Sequence, residues 1–158
     1  MAVIKHFAGN VQETNRAAMG LYVWTTEQAW RELHLRPFEA AVKDGGAHGA
    51  MTAFNRVGTT WAGGSEALLT DVLRGEWGFE GFVITDAGIV GQGRHFDTRQ
   101  AVEAGNDMIL GLLADLPGDG SYEEELKSYL EQDRAGTLTA LRESAHHILY
   151  YVLQTNRI

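Results

Sequence analysis

Two short apolar runs that end in polar side chains, Val3-Ile4-Lys5-His6-Phe7 and Gly81-Phe82-Val83-Ile84-Thr85-Asp86, set the strictest limit on what this chain can fold into. Each reads as a strand that delivers reactive groups at its C-terminal end, where open and closed parallel α/β sheets build their sites. A catalytic ancestry is therefore expected. Only Met1 and Ala2 stand ahead of the first run, so the chain is expected to begin almost inside the site, with no earlier strand or helix before it.

Strand-like and helix-like segments alternate along the sequence. Ala8 to Trp24 reads as loop, and Thr25-Thr26-Glu27 opens a helix carrying Ala29, Leu33, Phe38, Ala41 and Val42 that stops at Gly45-Gly46. A Thr cap, an early acidic residue and terminal glycines are matched start and stop signals. Gly49 to Phe54 reads as a second strand and Asn55 to Gly64 as loop. Ser65 is placed to cap a helix with Leu68, Leu69, Val72 and Leu73 on one face. Phe82 to Asp86 is the third strand, Thr98 to Ala104 a short helix, and Asp107 to Leu110 the fourth strand. The remainder is helical, from Ser121 to about Gln132 and, after a break near Gly136, from Leu138 to about Leu153.

Such alternation implies parallel strands joined by right-handed crossovers, so the fold class is α/β. A closed (β/α)8 barrel needs eight strands and typically about 250 residues. With four strand-like runs in 158 residues, the expectation is a partial (β/α)8 barrel, incomplete as a monomer, in a single domain over residues 1–158. No internal repeat, low-complexity tract or linker suggests a second domain.

Composition narrows the function. The chain is 44% hydrophobic and 22% charged with a formal charge of −8, and no stretch gathers the Lys and Arg that phosphates demand. Nucleic acid is not an expected partner; a neutral substrate or a protein is. Without cysteine there is no disulfide framework and no thiolate metal site. No run reaches the length of a membrane span and no signal-peptide pattern opens the chain, so a soluble, untargeted protein is expected, most simply cytoplasmic.

Lys5-His6-Phe7-Ala8-Gly9-Asn10, Gln12 to Arg16, the long block Leu69 to Asp86 and Ala104-Gly105-Asn106-Asp107 occur in order, and together they resemble glycoside hydrolase family 3. The resemblance covers nearly the whole chain and corresponds to roughly the second half of that family's N-terminal catalytic barrel. It implies a retaining hydrolase of the β-glucosidase type, acting on terminal β-linked glucosyl or related residues. Asp86 matches the catalytic nucleophile; Lys5, His6 and Arg16 match residues that hold sugar hydroxyls beside it. Met51 and Trp61 are assigned as further substrate contacts. The family's acid/base usually comes from a separate domain, and earlier strands supply an Asp that grips the far hydroxyls.

The chemistry is coherent on its own terms. A retaining glycosidase needs an ionised carboxylate to attack the anomeric carbon, and nearby cations keep it charged. Lys and Arg donate charge-assisted hydrogen bonds to hydroxyls. Standing alone, an Asp after an apolar strand reads more readily as a cap or turn residue, and Lys5, His6 and Arg16 as solvated or ion-pairing residues. The surrounding block points past those readings. Asp86 has no assignable carboxyl partner in the sequence, although Glu13, Asp97 and Asp107 are carboxylates on or near the same loops. No cofactor or metal is implied, because glycosyl transfer by carboxylates needs none. Two positions depart from the family pattern: Phe54 where many members have Tyr, and Ala87 where many have Trp after the nucleophile.

Weaker signals have plainer explanations. Gly91-Gln92-Gly93 is no phosphate loop, since a phosphate there would be repelled by Asp86. His146 and His147 lack the i,i+4 spacing of a helical metal pair. Glu123-Glu124-Glu125 reads as a solvated first helical turn. Of the tryptophans, Trp30 and Trp77 suit the core, and Trp61, flanked by loop residues, is best placed to meet a ligand.

Two outcomes follow for the chain: a glycoside hydrolase piece that works when a companion chain or domain supplies the rest, or an inactive half-barrel that folds or self-associates without turnover. Open strand edges at Lys5 and Met108 point under either one to a homodimer or a companion that completes the barrel.

Overall fold

In the computed structural model, residues 2–14, 22–87, 89–90, 93–94, 97–110 and 122–155 are described, the pairs 89–90 and 93–94 as backbone. In chain order the strands are β1 (Ile4–Phe7), β2 (Tyr22–Val23), β3 (Gly49–Thr52), β4 (Arg56–Val57), β5 (Thr60–Trp61), β6 (Phe82–Ala87), β7 (Ile89–Val90), β8 (Gly93–Arg94) and β9 (Met108–Leu110). Helix α1 is α-helical over Glu27–Ala29, π-helical over Trp30–Leu35 and α-helical again over Arg36–Lys43. It is followed by α2 (Ala67–Glu76), which is π-helical, then α3 (Thr98–Ala104), α4 (Tyr122–Gln132) and α5 (Arg134–Thr155).

The four expected strands form one parallel sheet in the order β1-β3-β6-β9, so β1 and β9 are its edges. Period-2 alternation divides its two faces. Ala50, Thr52, Val83 and Thr85 are fully buried, and Ala50 and Val83 join Leu35, Val42, Leu69, Val72 and Leu73 of α1 and α2 in the main core. On the opposite face Met51 lies level with Ile84, and Ile84 with Met108, which makes a row of partly exposed apolar side chains. Covering one face with helices while leaving such a row on the other is what a section of a (β/α)8 barrel does.

Local chemistry accounts for the element ends. The Thr26 hydroxyl accepts from Ala29 N at 3.2 Å, and Ser65 Oγ accepts from Leu68 N at 3.3 Å. Asp97 caps α3 by accepting from Gln100 N at 2.8 Å, and Gly105 closes it at φ +107°. Within α1, Pro37 has no N–H for the carbonyl four residues back, and the turns ahead of it widen.

Three expectations about connections are corrected. The loop from Ala8 to Trp24 contains β2, which pairs in parallel with β4. Asn55 to Gly64 is not a plain loop but a β4–β5 hairpin followed by a 3-10 turn over Ala62–Gly64, held because Ala62 N donates to Asn55 O at 3.0 Å. The C-terminal helices break at Asp133 rather than Gly136. Asp133 Oδ1 accepts from Gly136 N at 3.0 Å, so the glycine lies in the first turn of α5 and the aspartate is its cap. Ser121, expected to open α4, lies outside the described residues.

The long Leu69 to Asp86 block and the Ala104 to Asp107 stretch meet at one guanidinium. Arg74 Nη1 donates to Gly81 O at 2.9 Å and Phe79 O at 3.4 Å, and Nη2 donates to Gly105 O at 3.3 Å and Asp107 Oδ2 at 2.8 Å. Asp107 Oδ2 also accepts from Val83 N at 2.6 Å, and its Oδ1 lies 2.8 Å from His147 Nδ1 on α5. The Asp107 side chain is 1% exposed. Burial pulls the Arg74 guanidinium below its ordinary value while Asp107 works in the opposite direction. One carboxylate thus ties α2, β6, β9 and α5 together at the N-terminal end of the sheet. Beside it, Gly81 approaches His48 O so closely that a β-carbon would stand 2.0 Å from it.

Candidate active site

The opposite, C-terminal end of the sheet carries the candidate chemistry. Asp86 is the fifth residue of β6 and shares the face of Ile84, away from the helix-packed side. Its Oδ1 accepts from Ala87 N at 2.8 Å, and its Oδ2 lies 3.4 Å from His6 Nε2 on β1. The Asp86 side chain is 14% exposed and that of His6 23%. Among the described residues, Asp86 Oδ2 is buried and takes no hydrogen bond. This oxygen lies beside an imidazole with its hydrogen-bonding capacity unused among the described residues.

The end of β1 is shaped around this pair. The Lys5–His6 and Phe7–Ala8 peptide bonds are cis. Phe7 drops into the core against Phe38 and Trp77, with ring centroids 5.2 and 5.9 Å away, while Lys5 is exposed. Asn55 Nδ2 donates to Ala8 O at 3.1 Å, which fastens the turn after β1 to the β4–β5 hairpin. Gly9 follows at φ +81°, where a β-carbon would lie 2.5 Å from the Trp30 ring.

The expected site residues divide into groups. His6 and Asp86 are brought together. Met51 stands on β3 level with Ile84, one step below Asp86 on the same face. Arg16 lies outside the described residues. Trp61 does not stand as an open platform: it is 2% exposed and its indole Nε1 donates to Ala53 O at 2.9 Å, because the hairpin turns it inward against Gly63. Phe54 and Ala87, the two departures from the family pattern, are both buried.

The carboxylates considered as partners for Asp86 are occupied elsewhere. Asp107 belongs to the buried Arg74 network at the other end of the sheet, Asp97 caps α3, and Glu13 accepts from Asn10 Nδ2 at 3.3 Å. In the sequence Asp107 reads as a carboxylate on or near the loops of Asp86, and His147 shows only that it lacks metal-pair spacing with His146. The signal available was position: an Asp directly ahead of an apolar strand sits where the neighbouring strand's first N–H needs an acceptor. Among the described residues, no group of three His, Asp or Glu side chains could hold a metal ion, and no helix is long and apolar enough to cross a membrane.

The model of the glycosyl hydrolase family 3 N-terminal domain matches residues 1–149. A β-glucosidase of Ruminococcus albus is 35% identical over 158 aligned positions, covering 97% of this chain and 16% of its own length. β-Glucosidase B of Emericella nidulans is 44% identical over 107 residues, covering 68% of this chain and 12% of its own. Among solved structures, β-glucosidase 3B from Thermotoga neapolitana in complex with glucose superposes with a TM-score of 0.82 at 35% identity, over 96% of this chain and 20% of that one. The chain therefore spans about one-fifth or less of the length of these relatives, and its parallel sheet and outer helices are a section of their barrel. A family match over residues 1–149, together with that superposition, makes this chain a member of glycoside hydrolase family 3, related to β-glucosidases.

Proposed function

We propose that this chain carries the nucleophile-bearing part of a retaining glycoside hydrolase site for terminal β-linked glucosyl or related residues. Asp86 attacks the anomeric carbon, and His6, with Lys5 and Arg16, holds hydroxyls of the sugar beside it. The observation that carries this reading is the Asp86 carboxylate, turned to the C-terminal rim, with one oxygen on its own backbone N–H and the other 3.4 Å from His6. The Ala87 N–H bond fixes the carboxylate's rotation, and Oδ2 keeps its hydrogen-bonding capacity for the reaction. In the first step a bond forms from that oxygen to the anomeric carbon as the bond to the leaving oxygen breaks. Water then reverses the sequence and releases the sugar.

The reaction also needs an acid/base carboxyl about 5 to 5.5 Å from the nucleophile. Glu13, Asp97 and Asp107 are each held in other bonds, which favours an acid/base from outside the described residues. A second copy or a companion chain or domain is the natural source, since β1 and β9 are parallel edge strands beside a partly exposed apolar row.

The alternative, an inactive half-barrel that associates without turnover, draws on the buried Trp61 and on Phe54 and Ala87, which offer the pocket neither a phenol nor an indole wall. Hydrolysis of a chromogenic aryl β-glucoside by the purified chain, beside Asp86→Ala, decides between them. Turnover that is lost in the variant supports the hydrolase reading. Turnover equal in both refutes Asp86 as nucleophile, and none in either favours the inactive half-barrel.

A further inference from the structure

Trp24 is the most exposed large apolar side chain among the described residues, at 73%. It follows β2 and leans over the tip of the β4–β5 hairpin, where a β-carbon on Gly58 would lie 3.6 to 3.9 Å from its six-membered ring. Gly58 N donates to Val23 O at 3.0 Å, which ties the hairpin tip to the strand that presents the indole. Between Trp24, Trp30, Val57, Gly58 and Glu27 lies a groove of about 340 Å³. That volume is within the range of small-molecule sites, about 300 to 1,000 Å³.

The lining selects for one kind of ligand. It offers two aromatic side chains, one of them largely in water, a carboxylate and no cation, which disfavours anions and suits a neutral ring with an apolar face and an edge of hydroxyls. Glu27 is free to serve the hydroxyls at its outer oxygen, since Arg31 Nε engages Oε1 at 3.0 Å on a side chain that is largely exposed. Trp30 links the groove to the rim of the sheet, because its ring packs on Gly9 directly after β1. The Trp61 position first expected to meet sugar is buried; the open indole is this one.

We propose that the Trp24 groove binds a sugar ring of a β-linked oligosaccharide, as a carbohydrate site separate from the one at Asp86. The choice of sugar rests on the hydrolase reading above, while the groove's binding is independent of turnover. The mechanism is stacking of the pyranose C–H face on the free side of the Trp24 indole, with hydroxyls toward Glu27.

Cellotriose titrated into the ¹⁵N-labelled chain tests this through the indole and amide N–H signals, assigned with single Trp→Phe variants. The expected result is a saturable shift of the Trp24 and Trp30 indoles and the Gly58 amide that is retained in Asp86→Asn. Trp24→Ala should abolish the Trp30 and Gly58 shifts, and Trp24→Phe should weaken them. Because Trp24 is exposed, its removal is expected to leave the remaining spectrum folded. Shifts absent in the parent chain, unchanged in Trp24→Ala, or lost in Asp86→Asn would each overturn the proposal. Failure of the hydrolase reading would show separately, as turnover indifferent to Asp86.

Discussion

Arg74 Nη2 and Asp107 Oδ2 stand 2.8 Å apart beneath the sheet, at the end of the strands opposite to Asp86. The barrel section thus keeps its buried ion pair at one end and its candidate chemistry at the other. The division has a physical basis: a carboxylate that must accept several N–H bonds is immobilised, whereas a nucleophile must keep an oxygen free.

Breaking that pair should cost more than any surface change. Asp107→Ala leaves Arg74 buried with its main charge partner gone and Val83 N without its acceptor, so a loss of about 3 to 5 kcal/mol is expected. Urea unfolding of Asp107→Ala, Arg74→Ala and the double variant checks this. The two single losses should be strongly non-additive, and simple addition would show that the residues act separately.

Gly81 should tolerate no side chain. A β-carbon there would lie 2.0 Å from the His48 carbonyl oxygen, a backbone atom that cannot rotate away. Gly81→Ala is expected to destabilise by about 3 kcal/mol or more, at the upper end of overpacking effects. Gly46→Ala serves as the comparison, since its β-carbon would meet nothing within 4 Å and only its φ of +62° opposes the change. Equal melting temperatures for the two variants would count against the close approach.

Acidification should reveal the bridge between α1 and α2. Arg31 reaches Glu76 with two bonds of 2.7 and 2.9 Å, and these hold the Glu76 carboxyl below its ordinary value of 4.5. A depressed folded-state value means that the contribution is fully present above pH about 4.5 and fades as the pH falls through the lower, folded value. Glu76→Gln should therefore destabilise slightly at neutral pH and flatten the acid loss, as read from denaturant midpoints on either side of that pH. Both side chains are close to half exposed, so the effect is expected to shrink further in high salt.

Association should run through the open face and edges of the sheet. Met108 on edge strand β9 is exposed, as are Leu149, Val152 and Leu153 on α5. Sedimentation at micromolar concentration is expected to show a dimer or larger species, and Met108→Lys to shift it toward monomer. A monodisperse monomer in the parent chain would contradict completion of the sheet by a second copy.

Much of this architecture was legible in linear order. The strands at β1, β3, β6 and β9 and the starts of α1 and α2 follow from apolar runs and from caps such as Thr26 and Ser65, which act within three or four residues. Position at a strand's C-terminal end placed His6 and Asp86 at the same rim, and the resemblance of the surrounding block made them candidates. Trp61 misled because loop flanks say nothing about which way a hairpin turns, and here the turn buries the indole against Gly63. Asp107 looked like a free carboxylate because its partners, Arg74, Val83 and His147, lie 24 to 40 residues away in sequence.

The sequence by itself determined the α/β alternation, the order of the parallel strands' reactive ends and the family. These are consequences of short-range pattern and of motif order. Only the tertiary structure decided which carboxylate remains available and which is spent on holding the sheet, and which tryptophan faces solvent. Those outcomes depend on burial and on donors brought from distant segments, and neither has a signature in local spacing.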